Sequence, residues 1–140
     1  MNNILYSSCQ GHIIALAPGG KNPIDQNWTT APPKINGDAS AYLDLGYNLG
    51  YRLTERDLII DIDPRNGGDV SFLALPAEIQ GLPATTETAS GGQHIYTTLP
   101  KGVDYKTLRS SLREYPGIDF LHKGKQVVIP GSSLPDGRTW

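Results

Sequence analysis

Short apolar runs separated by Gly-, Pro- and charge-rich breaks organise this chain. Residues 12–18 are mostly apolar and predict a short strand. Gly19-Gly20-Lys21-Asn22-Pro23 breaks it into a loop that runs past Trp28 to Pro32-Pro33. Asp38 is placed to cap a short helix over 39–45, with Gly46 ending it. Residues 47–53 and 58–62 predict two strands joined by the polar turn Thr54-Glu55-Arg56. Asp69 is placed to cap a helix around 70–75, which Pro76 disturbs. Residues 85–90 and 94–99 predict a strand pair around Gly91-Gly92. Residues 104–112 predict a helix, with Asp at its start and Arg109 and Arg113 near its end. Residues 117–122 and 126–129 flank Lys123-Gly124-Lys125 and predict a hairpin. Pro135-Asp136-Gly137 is a turn, after which Trp140 opens another strand. Strands mixed with a few short helices favour an α+β fold.

Composition adds bounds. A length of 140 residues suits one domain spanning 1–140, and 38% hydrophobic with 19% charged residues is ordinary for a globular chain. No apolar run reaches the roughly 18 residues of a membrane span. The first residues lack a basic stretch followed by an apolar one, which argues against secretion and for a cytoplasmic protein. Cys9 is the single cysteine, so neither an intrachain disulfide nor a cysteine zinc site can form within this chain; a buried or half-buried thiol is expected.

Net charge is −2, which by itself does not mark a nucleic-acid binder. The charge is uneven: residues 1–100 carry −5 and residues 101–140 carry +3. An acidic body beside a basic end suits a protein that holds cations and meets phosphates, although a solvated surface accounts for the basic end equally well.

Leu58-Ile59-Ile60-Asp61-Ile62-Asp63 is the most informative stretch. Alternation along a strand puts Asp61 and Asp63 on one face, about 7 Å apart, and Ile60 and Ile62 on the other, facing a core. Two such carboxylates either coordinate a hard divalent cation, Mg²⁺ or Mn²⁺, or stay solvated and cap the next turn. A calcium loop starting at Asp61 fails in register, because Phe72 stands where its last carboxylate belongs. Thr88-Ala89-Ser90-Gly91-Gly92-Gln93-His94 offers two glycines whose N–H groups can approach an anion, and a histidine that can donate to a phosphate; a plain glycine hairpin is the alternative. Gly19-Gly20-Lys21-Asn22 lacks the spacing and hydroxyl of a Walker loop. Asp119, amid Ile118 and Phe120, is either a metal ligand or a strand position facing water.

The order of these pieces carries more than any one of them. The chain runs Lys21-x-Pro23, Trp28, Asn48-x-Gly50, Asp61-x-Asp63 before Gly67-Gly68, Thr88-x-Ser90-Gly-Gly-x-His94, Gly117-Ile-Asp119, Val127-Val-Ile-Pro-Gly-Ser132 and Asp136-Gly-x-x-Trp140. Over roughly residues 10–140 this resembles the prim-pol (bifunctional DNA primase/polymerase, N-terminal) domain of the archaeo-eukaryotic primase superfamily, found in phage and plasmid replication proteins.

The resemblance implies an RRM-like antiparallel or mixed sheet with flanking helices and a small N-terminal α/β lobe. It implies a metal-dependent nucleotidyltransferase that joins nucleotides. Asp61, Asp63 and Asp119 would bind two Mg²⁺ or Mn²⁺ ions. Ser90, Gly91, Gly92 and His94 would contact the triphosphate, with Lys21, Lys123 and Lys125 as candidate basic neighbours. Expected partners are nucleoside triphosphates, a single-stranded or primed DNA template and a helicase domain or protein, in a bacterial, archaeal or phage-infected cell. Family members usually continue beyond the point matching Trp140, so a fragment of a longer replication protein is also expected. The missing accessory parts keep a second reading open: a non-catalytic nucleotide- or DNA-binding module derived from such an enzyme.

Overall fold

The structure, a computed structural model, describes residues 12–32, 39–83 and 86–140. Cys9, the capping position Asp38 and the expected strand start at Thr85 lie outside them. In chain order the elements are β1 (Ile13–Leu16), α1 (Ser40–Asp44), β2 (Asn48–Arg52), β3 (Asp57–Ile62), α2 (Gly68–Phe72), α3 (Ala77–Gln80), β4 (Thr86–Glu87), β5 (Gln93–Thr98), β6 (Ile118–Leu121) and β7 (Gln126–Val128). Single 3-10 turns occupy Pro64–Asn66 and Tyr105–Thr107. This is a mixed α+β arrangement with two antiparallel sheets and few, short helices. Among the described residues no helix is long and apolar enough to cross a membrane.

The chain divides into two compact units: the residues up to Arg52 with Gly124–Trp140, and Leu53–Lys123. The first unit holds the three-stranded sheet β1-β2-β7. Leu16, Leu49, Val127, Val128 and Ile129 are buried in it. Asn48, itself buried, ties the end of the chain to the sheet: its Nδ2 donates to the Gly20 and Ser133 carbonyls at 2.9 and 2.8 Å, and its Oδ1 accepts from Ser133 N–H at 3.0 Å. Ser132 Oγ, fully buried, accepts from Leu49 N–H at 2.9 Å. Thr139 bridges Ser133 around the Pro135-Asp136-Gly137 turn, where the Arg138 N–H and then its guanidinium hold the Asp136 carboxyl below its usual pKa.

The second unit holds the four-stranded sheet β4-β5-β3-β6, with β3 at its interior. On one face of β3, Ile60 and Ile62 join Ile95, Ile118 and Leu75 in a core that Phe72, Ile79 and Phe120 border. The expected alternation therefore holds, and α2 and α3 supply part of the cover. Strand β3 ends where Asp63 N–H donates to Gly117 O at 2.8 Å and Pro64 starts a 3-10 turn.

Four expectations change. The segments 117–122 and 126–129 are strands, but they do not form a hairpin: β6 pairs with β3 and β7 with β2, in different sheets. Strands β2 and β3 likewise belong to separate sheets. Residues 104–112 yield only the turn Tyr105–Thr107, whose start is capped by Asp104 accepting from Lys106 N–H at 2.9 Å. The helix expected from Asp69 starts earlier, after Gly67, which at φ 89° takes the left-handed conformation that glycine adopts without strain.

Candidate functional site

Register on the second sheet sets the site. On β3, Asp61 stands directly opposite His94 of β5 on one side and Asp119 of β6 on the other. Residues directly opposite in antiparallel strands point to the same face, so the row His94–Asp61–Asp119 lies side by side. His94 Nε2 is 3.5 Å from Asp61 Oδ1, with the His94 side chain 7% exposed and the Asp61 side chain 32% exposed. Asp119 is exposed.

Glycines hold this register in place. Strand β6 enters next to α2 through Gly117, at φ 81°. A Cβ on Gly68 would meet Gly117 O at 2.5 Å and Asp63 N at 2.7 Å, and a Cβ on Gly117 would collide with Gly68 N. Two backbones meet here because neither residue has a side chain. That contact, with the bond from Asp63 N–H to Gly117 O, seats Asp119 beside Asp61.

Asp63 lies just past β3 and already has neighbours. Its Oδ1 accepts from Arg65 N–H at 3.0 Å, its Oδ2 accepts from Asn66 Nδ2 at 2.6 Å, and Arg65 Nε is 3.6 Å from Oδ1. It caps the Pro64–Asn66 turn. A carboxylate offers about four acceptor positions, so these contacts leave it some capacity.

Ser90, Gly91 and Gly92 turn the chain into β5. The N–H groups of both glycines bond within the turn: Gly91 donates to Thr88 O at 3.0 Å and Gly92 to Thr88 Oγ1 at 2.9 Å. Ser90 Oγ lies 3.3 Å from Thr88 Oγ1. Gly92 is required sterically, because a Cβ there would collide with Ile62 O. Its place beside the end of β3 brings the turn to the same end of the sheet as Asp63.

The candidate lysines are divided between the two units. Lys123, in the second unit, lies 3.9 Å from Glu55 Oε2 and 5.6 Å from the Tyr105 ring centre. Lys21 and Lys125 belong to the first unit, where Lys21 sits over the Trp140 ring at 5.6 Å. Lys125 is exposed. The basic segment 101–140 is thus shared between the two units.

Among the described residues, no three His, Cys, Asp or Glu side chains converge as a ready-made metal cage. The donor chemistry nevertheless fits a hard cation at Asp61 and Asp119. Two carboxylates directly opposite on one sheet face repel each other, and an ion between them removes that cost. Thr86, directly opposite His94 on β4, is a site neighbour that the sequence did not reveal. A lone threonine before a turn carries no signal until the strands are paired.

A comparison with curated proteins finds no match. A family model does match, described as bifunctional DNA primase/polymerase, N-terminal, over residues 5–140. With nearly its whole length covered by that match, the chain belongs to the prim-pol family of primase-polymerase domains.

Proposed function

We propose that the second unit is the catalytic platform of a metal-dependent nucleotidyltransferase, a DNA primase or polymerase of the phage and plasmid type. The observation that carries this reading is the row His94–Asp61–Asp119, three residues far apart in sequence placed side by side on one sheet face. The reading takes the sheet as the RRM-like core of the family.

In this proposal Asp61 and Asp119 hold Mg²⁺ or Mn²⁺ through hard carboxylate oxygens, and Asp63 joins them with the acceptor positions its turn does not use. A cation held there supplies Lewis-acid activation of an attacking hydroxyl and neutralises charge on the phosphates. His94 donates from its ring to a phosphate oxygen, and Ser90 adds a hydroxyl at the neighbouring turn. Electrostatic preorganisation of this kind is the main protein contribution to phosphoryl and nucleotidyl transfer. Single-stranded or primed DNA is the partner, and nucleoside triphosphates are the substrates.

The test is primer extension with dNTPs and either Mn²⁺ or Mg²⁺, comparing the wild-type chain with Asp61→Asn and Asp119→Asn. Extension that needs the metal and disappears in both variants is expected. Extension equal in all three proteins overturns the assignment. The engagement of Asp63 in its turn favours one second reading, a binding module without catalysis. Metal-dependent dNTP binding by calorimetry with no incorporation on any primed or unprimed template would establish that reading instead.

A further inference from the structure

Two buried polar atoms beside the proposed site lack a bond. Thr86 and His94 are direct partners in the β4–β5 register, and each is only 5% exposed. Among the described residues, neither Thr86 Oγ1 nor His94 Nδ1 has a hydrogen-bond partner. A buried donor or acceptor left unmade carries a desolvation penalty, so such atoms are paired in folded proteins. Directly opposite residues have Cβ atoms about 4.5–5.5 Å apart on one face, within reach of a side-chain hydrogen bond after a threonine rotamer change. The chemistry is complementary: a hydroxyl donates and an imidazole nitrogen without hydrogen accepts.

The other ring nitrogen decides the direction. His94 Nε2 faces Asp61 Oδ1 at 3.5 Å. A neutral ring with its lone pair on Nε2 would set two acceptors against each other. A ring with hydrogen on Nε2 donates toward the carboxylate, which leaves Nδ1 as the acceptor for Thr86. We propose that Thr86 is a positioning residue: its hydroxyl donates to His94 Nδ1 and holds the ring in the tautomer that aims Nε2–H at Asp61 and at a phosphate bound beside it. The chain Thr86 O–H to Nδ1, Nε2–H to Asp61 then satisfies both orphaned atoms at once. Orientation of a ring through its second nitrogen is a general way to set which nitrogen donates. The consequence for nucleotide binding rests on the functional reading above; the tautomer itself does not.

The test is long-range ¹H–¹⁵N correlation of the His94 ring in the full chain at mildly alkaline pH, in wild type, Thr86→Val and Thr86→Ser, with dNTP–Mn²⁺ affinity measured by calorimetry on the same samples. Expected are a hydrogen-bearing Nε2 and an acceptor-type Nδ1 in wild type. The Nδ1 resonance should move in Thr86→Val and return in Thr86→Ser, with binding about tenfold weaker in the valine variant only. A hydrogen on Nδ1 in wild type overturns the proposal, and that measurement needs no variant. An Nδ1 resonance unchanged in Thr86→Val also overturns it. The expected tautomer and valine response in a chain that binds no nucleotide would support the Thr86 assignment and overturn only the functional reading.

Discussion

Asp61 and Asp63 look equivalent in the sequence, yet they have different duties. Asp61 stands in its row between His94 and Asp119, one contact favourable and one repulsive, whereas Asp63 caps a turn, so its carboxylate supports folding. Replacing Asp61 with Asn should change thermal stability by no more than a few tenths of a kcal/mol, because relief of the repulsion from Asp119 offsets the weaker contact with His94, while removing metal-dependent activity. Replacing Asp63 with Ala should cost about 1 kcal/mol in a urea titration, the usual loss of an N-cap. A stability loss in Asp61→Asn as large as in Asp63→Ala would contradict this division. Gly92 is a second residue whose role is geometric. Gly92→Ala drives a methyl into Ile62 O, so a destabilisation of about 1–3 kcal/mol is expected, read from the same titration. In the sequence the glycine pair reads either as a phosphate contact or as a plain hairpin turn. Steric contacts with the end of β3 are invisible until β5 lies beside it.

At the scale of elements, β3 was legible because its pattern is strong. Ile60 and Ile62 alternate with Asp61, and the apolar face is buried as the period requires. Ile60→Ala should cost about 2–5 kcal/mol by the same measure, since Ile60 is buried on the core side of the sheet. The segments of β6 and β7 were also legible, but their pairing was not. Lys123-Gly124-Lys125 has the composition of a hairpin turn, and local rules join the strands on either side. Partners instead come from 59–62 for β6 and from 50–52 for β7. Such choices are made by which apolar faces can be buried together, a long-range term that no local window contains. The helix expected over 104–112 fails for a related reason. Tyr105, Leu108 and Leu112 have helical spacing, but Ser110 and Ser111 pair with β6 instead, Phe120 N–H donating to Ser110 O at 2.7 Å and Ser111 bridging Asp119.

For the whole molecule, the first unit is built from both ends of the chain. Strand β7 pairs with β2, and Ser132 and Ser133 bond to Leu49 and Asn48. A chain ending at Lys123 should therefore lose hydrogen-exchange protection across β1 and β2. Protection at β1 and β2 equal to the full chain would refute the dependence. The sequence by itself determined the family, through the order of its motifs over nearly the full length, and the α+β class. It also determined the carboxylates and histidine worth testing, because chemistry needs those residue types and strand alternation places them on a face. Tertiary structure alone decided that Asp61, His94 and Asp119 form one row, that Asp63 caps a turn, that Lys21 and Lys125 belong to another unit, and that Thr86 stands opposite His94. The physical reason is register: a strand's own pattern says which face a side chain takes, but only its partners say what stands beside it.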